Sequence, residues 1–101
     1  MSDVNNTLQE RGNRYGEFPD HASITQALKL VMTGNIILTD ENGFGTIVPF
    51  TNWNSLSSAH KEALEMIAHK IGRILNGDPN YKDSWHDISG YSKLGEDACQ
   101  E

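Results

Sequence analysis

The chain has 101 residues, of which 8 are basic and 14 acidic, giving a formal charge of −6, with 37% hydrophobic and 22% charged residues. That is enough for one domain, residues 1–101, around one modest core. The acidity repels phosphate backbones and so argues against general nucleic-acid binding, while suiting a cation site, a basic protein partner, mimicry of nucleic acid or plain solubility.

In chain order, residues 1–4 read as frayed, and Asn6 or Thr7 starts a short helix through Arg14 that Gly16 to Pro19 breaks. Asp20 is an N-cap for a second helix over 22–33, whose Ile24, Ala27, Leu28 and Val31 follow helical spacing, with Gly34 as its stop. The grammar then changes. Ile36-Ile37-Leu38-Thr39 and Thr46-Ile47-Val48 are short β-prone runs around Asp40-Glu41-Asn42-Gly43, and Asn-Gly is a hairpin turn signal. Pro49 ends the second run.

Asn54 to Ser58 supplies N-caps for a long helix over 58–76 with an apolar stripe of Leu64, Ile67, Ala68, Ile71 and Leu75. Gly77 is its C′ residue, and Asp78-Pro79 forbids continuation. Asp83 or Ser84 caps a last helix to Leu94, whose Trp85, Ile88 and Tyr91 pack back on the long one, and the tail from 96 to 101 reads as disordered. The fold class is therefore mainly α: an antiparallel helical hairpin or bundle of about four helices with a small β-hairpin inserted at about 34–50.

The lone cysteine, Cys99, excludes an internal disulfide and a cysteine-based metal site. That cysteine usage and the lack of any long apolar run predict a cytoplasmic chain. Walker, Gly-x-Gly-x-x-Gly and His-Glu-x-x-His motifs are lacking.

The chemistry-bearing residues fall in three sets. Glu62 and Glu65 lie one helical turn apart, and Asp83 and Asp87 are i, i+4 on the next helix. Two acidic pairs on neighbouring helices suit Mg²⁺, which takes oxygen ligands and keeps waters and a substrate phosphate. The same acids serve equally as partners of a helix dipole or as an N-cap on a solvated face. Lys70 and Arg73 with His69, and Arg11 and Arg14 beside Tyr15, offer cations and aromatic rings for a phosphate and a base, with Trp85 and His86 as further candidates. Asp40, Glu41 and Phe44 on the β segment are candidate partner-binding residues.

Glu10-Arg11-Gly12-Asn13-Arg14-Tyr15-Gly16-Glu17-Phe18, the run from Glu62 to Pro79 and the run from Asp83 to Tyr91 resemble a family of small helical domains of phages and prophages whose function is unknown. The same blocks are distantly similar to the all-α nucleoside triphosphate pyrophosphohydrolases, the MazG-like and dimeric dUTPase-like enzymes. In those enzymes Glu-x-x-Glu on one helix and Glu-x-x-Asp on the next hold Mg²⁺ over a nucleotide. Glu62 and Glu65 match the first pair, whereas Asp83 and Asp87 depart from the second by standing four apart. The resemblance implies a phage or prophage origin, a nucleotide-handling domain (a binder or a weak Mg²⁺-dependent pyrophosphohydrolase) and a homodimer. The 34–50 segment is foreign to that pattern, and its reading as an added contact surface implies the alternative. That alternative is a non-catalytic phage anti-defence inhibitor, of the anti-CRISPR type, binding a host protein through an acidic surface. A homo-oligomeric structural protein is the third class.

Overall fold

The computed structural model describes residues 2–35, 37–47 and 51–100. The calls on Ile36, Val48 and Pro49, and on the end of the tail at Glu101, lie outside the described residues. Four helices dominate: α1 (Ser2–Tyr15), α2 (Phe18–Thr33), α3 (Ser58–Asn76) and α4 (Lys82–Asp97). Between α2 and α3 lie two three-residue strands, β1 (Ile37–Thr39) and β2 (Gly45–Ile47), and a 3₁₀ turn at Trp53–Ser55.

Helix α1 starts at Ser2 rather than Asn6, because nothing before Asn6 breaks a helix and Asp3 favours the N-terminal dipole. An i, i+4 pair between Glu10 and Arg14 at 2.8 Å supports its last turns. It stops at Gly16, whose φ of 78° no other residue takes without strain. The predicted break over Gly16–Pro19 is in fact two residues long. Pro19 sits inside the first turn of α2, where its missing N–H has no intrahelical partner to lose. Asp20 is a first-turn acid, not the N-cap, a position held by Glu17. Gly34 and Asn35 close α2 with bonds from their N–H groups to Val31 and Leu30 carbonyls.

Strands β1 and β2 pair antiparallel with Ile37 opposite Ile47 and Thr39 opposite Gly45. Asn42-Gly43 is not a two-residue turn here. The Gly43 N–H donates to the Asp40 carbonyl, the Asp40 N–H donates to the Phe44 carbonyl, and Gly43 has φ 81°. This is a three-residue loop with a left-handed glycine. The Asp40 carboxylate accepts from the Asn42 and Phe44 N–H groups at 2.9 and 3.0 Å, so it is spent on holding the loop.

Helix α3 keeps its predicted bounds. Ser57 caps it, accepting from the His60 N–H at 3.1 Å, and Gly77 ends it by donating to the Arg73 carbonyl. Helix α4 begins at Lys82, with Tyr81 at the cap position and no side-chain cap bond. Neither Asp83 nor Ser84 caps it, since Asp83 instead accepts from the Tyr81 hydroxyl at 2.9 Å. The predicted disordered tail is helical to Asp97 and described to Gln100.

Helix α3 is the central element, packed antiparallel along α4 and crossed by α2. Of the expected stripe, Ala68 is buried and Ile67 and Ile71 are half-buried. Leu64 and Leu75 are exposed, and the buried positions are Ala63, Ala68, Lys70 and Gly72 on α3, His21 and Thr25 on α2 and Ser84 on α4. Small residues at 68 and 72 let α2 approach the α3 backbone closely, so its polar i, i+4 pair His21 and Thr25 fills the crossing. On α2, Ala27 and Val31 are exposed instead of core. On α4, Trp85 is exposed and donates from its indole N–H to the Pro79 carbonyl, at 2.8 Å. Among the described residues, no helix is long and apolar enough to cross a membrane.

Candidate functional site

The ends of three helices meet at one corner. The Asp78 N–H donates to the Arg14 carbonyl at 2.7 Å, and the Asn76 side-chain amide donates to the Tyr15 and Glu17 carbonyls at 2.9 and 3.0 Å. These bonds clamp the end of α1 and the start of α2 onto the end of α3. Gly77 and Gly16 make the clamp possible: a Cβ on Gly77 would collide with the Arg14 carbonyl, and one on Gly16 with Asn76.

The clamp builds a ladder in which two adjoining tyrosine rings are flanked by guanidinium groups. The Arg73 guanidinium carbon lies 4.4 Å from the Tyr15 ring centre, and Arg11 approaches the same ring at 5.8 Å. Tyr15 meets Tyr81 edge to face at 5.9 Å. Arg14 covers Tyr81 at 4.7 Å and donates to its hydroxyl at 2.8 Å. That hydroxyl donates onward to Asp83, and this bond raises the Tyr81 pKa above its ordinary value. Beside the ladder opens a cavity of about 330 Å³ whose walls include Leu8, Arg11, Tyr15, Phe18, His21 and Arg73. Arg14 is committed to Glu10, whereas among the described residues neither Arg11 nor Arg73 has an acid within 4.0 Å.

The predicted ligand set therefore divides. Arg11, Tyr15 and Arg73 line the cavity, and Arg14 sits behind them on Tyr81. Lys70 is buried and bonded to Asp87 at 2.9 Å, so its charge is already used. His86 lies on a separate shallow groove of α4 with Asp87, Gly90, Tyr91 and Leu94, and Trp85 folds over the α3–α4 turn. His69 is half-buried, with Nε2 3.4 Å from the Lys29 ammonium. Phe18, Leu8, His21 and Tyr81 were absent from the sequence-based set. The pairing of His21 with Thr25 at i, i+4 was its one visible signal.

The acidic pairs stay apart. Lys70 faces Asp87, and the His60 ring contacts the Gly95 carbonyl at 2.9 Å, which sets the register of the helix hairpin. Glu62 is thereby level with Gly95, about 12 Å along the axis from Asp87, and Asp83 lies about 6 Å farther still. Antiparallel register places the first acids of α3 beside the end of α4, not its start. Among the described residues, no three His, Cys, Asp or Glu side chains gather in a way that would hold a metal. Of the predicted contact residues on the β segment, Asp40 is a turn residue, while Glu41 and Phe44 are exposed.

No family model, curated protein or solved structure matches the chain. The chemistry of the cleft at the α1–α2–α3 corner is what points to a function.

One titration follows from the same corner. Burial first, then the charges of Lys29, His21 and Arg73, lower the pKa of His69 below 6.5, against a smaller opposing effect of Glu65. A depressed histidine favours folding while both states are neutral. Its contribution is complete above pH 6.5 and is lost as pH falls through the lower folded value. The melting midpoint should fall by a few degrees between neutral pH and about pH 5.5, and His69→Gln should flatten that slope. An unchanged slope in the variant contradicts the assignment.

Proposed function

We propose that the chain binds a small phosphate-bearing ligand of the nucleotide class in the cleft between α1, α2 and α3. One observation carries this reading. Two guanidinium groups that form no ion pair among the described residues, Arg11 and Arg73, flank the Tyr15 ring at a cavity whose walls also include Leu8, Phe18, His21 and Glu17. In a chain of charge −6, two arginines against one acid, Glu17, leave this concave surface with a local excess of positive charge. Arginine forks match phosphate oxygens bidentately, and the exposed Phe18 ring offers a stacking face for a base.

On this reading Mg²⁺ arrives with the phosphate instead of occupying a preformed protein cage, as hard cations bound through substrate oxygens do. The likeness of 62–79 and 83–91 to nucleotide pyrophosphohydrolases is in keeping with the ligand class.

Calorimetric titration with nucleoside mono-, di- and triphosphates and cyclic nucleotides, with and without Mg²⁺, is the test. Binding is expected, and Arg11→Ala and Arg73→Ala should each weaken it about 10- to 100-fold, the worth of a charge-assisted phosphate contact. Both arginines lie at the cleft wall, so the variants should keep the parent's circular dichroism. Absence of heat and of any thermal shift across the whole panel sinks the proposal.

A further inference from the structure

Asn-Gly occurs twice in the chain, at Asn42-Gly43 and at Asn76-Gly77. The dipeptide is reactive as well as turn-forming. A glycine amide nitrogen has no Cβ beside it to shield it, so it can attack the side-chain carbonyl carbon of the asparagine that precedes it. The fold puts the two dipeptides in opposite situations.

At the first, the reacting atoms are open. Glu41, Asn42 and Gly43 are exposed on the loop between β1 and β2, and a Cβ on Gly43 would meet nothing within 4 Å. The Asn42 N–H donates to the Asp40 carboxylate at 2.9 Å, but no hydrogen bond among the described residues holds the Asn42 side-chain amide. At the second, the amide is held and the space is filled. Asn76 donates from its amide to the Tyr15 and Glu17 carbonyls at 2.9 and 3.0 Å. A Cβ on Gly77 would run into the Arg14 carbonyl and the Tyr15 backbone. Both glycine N–H groups are bonded, Gly43 to the Asp40 carbonyl at 3.1 Å and Gly77 to the Arg73 carbonyl at 2.9 Å. The difference between the sites therefore lies in the asparagine amide and in the room around the glycine.

We propose that Asn42 is a site of spontaneous covalent modification, an intramolecular deamidation that the folded chain permits there and blocks at Asn76. The Gly43 nitrogen loses its proton to solvent and bonds to Asn42 Cγ. The Cγ–Nδ2 bond breaks, and ammonia leaves with a proton from water, giving a five-membered succinimide. Water then opens the ring at either carbonyl, leaving aspartate or isoaspartate at position 42. Water is the sole co-reactant.

Either product sets a third carboxylate beside Asp40 and Glu41. Isoaspartate also routes the backbone through Cγ, which lengthens the loop that the Gly43-to-Asp40 and Asp40-to-Phe44 bonds close. The same reaction at Asn76 would replace a donor by an acceptor facing two carbonyls and open the corner that forms the cleft. The clamp thus protects the residue that builds it, and the loop takes the change.

Incubation of the full chain at mildly alkaline pH and body temperature tests this, read by peptide mass mapping and isoaspartate-specific methylation. Residues 30–61 and 74–82 fall in separate tryptic peptides, and fragment masses place the change within each. In the folded chain Asn42 should convert at least about tenfold faster than Asn76, the worth of breaking two amide hydrogen bonds. In urea the two rates should converge, because the two dipeptides are then alike. Asn42→Ser should keep the parent's circular dichroism and remove the conversion from the 30–61 peptide. The proposal is overturned if Asn42 stays intact in the folded chain while it converts in urea, or if Asn76 converts as fast as Asn42 without urea.

Discussion

Gly72→Ala is expected to destabilise the fold by about 1–2 kcal/mol, although alanine is the better helix former. A Cβ at residue 72 would stand 2.6 Å from Thr25 Oγ1 and 3.0 Å from His21 Cδ2. Neither neighbour has room to retreat. Thr25 is 1% exposed, the most buried side chain described, and the His21 ring is held by its Nε2 at 3.1 Å from the His69 carbonyl. A carbonyl only accepts, so Nε2 carries the proton of that bond, and moving the ring takes that donor away from its partner. The gain in helix propensity, up to about 1 kcal/mol, offsets only part of this. Gly90→Ala is the internal control. It is also mid-helix, but a Cβ there meets nothing within 4 Å, so it should stabilise by about 0.5–1 kcal/mol. Thermal melts should separate the two variants by roughly 10 °C. Equal shifts of the same sign would mean that α2 does not cross α3 at residue 72.

The same crossing explains how far the sequence alone reaches. The bounds of α3 were legible because Ser57-Ser58 starts and Gly77-Asp78-Pro79 stops a helix by local chemistry. The buried face was read in part: Ala68 of the predicted stripe is buried, but periodicity rewards large apolar residues and passes over Gly72, where α2 makes its close contact. Pro19 was read as a breaker, yet it is compatible with a first turn. Of the candidate ligand residues, Arg11 and Tyr15 were already neighbours on one helix face. That Arg73 joins them depends on the angle set by Gly16 and Gly77, which no one-dimensional pattern contains. The acidic pairs illustrate the converse. Each pair lies within one turn of its own helix, and the hairpin register separates the two.

Asp87→Asn is expected to lower the melting midpoint by roughly 5–10 °C at neutral pH through a residue that is not itself buried. Its partner is the reason. The Lys70 side chain is 10% exposed and its ammonium lies 2.9 Å from Asp87, while the Asp87 side chain is 42% exposed. Taking the acid away strands a cation inside the α3–α4 interface, and an unpaired buried charge costs more than the pair contributes. Lys70→Met in the Asp87→Asn background should recover most of the loss, because a flexible apolar chain fills the same space without the charge. The pH dependence gives a second readout. The hydrogen bond from Lys70 holds the Asp87 carboxyl below its ordinary value of 3.8. Its contribution is therefore complete above that value and is lost as pH falls through the lower folded value. The gap between the parent and Asp87→Asn should be widest at neutral pH and close in acid. The comparison also decides what Asp87 is for. If it were a Mg²⁺ ligand rather than a counter-ion, Asp87→Asn would leave the metal-free melt unchanged and remove a Mg²⁺-dependent shift. A loss of stability without metal, rescued by Lys70→Met, assigns the residue to the fold and leaves Arg11, Tyr15 and Arg73 as the cleft's own chemistry.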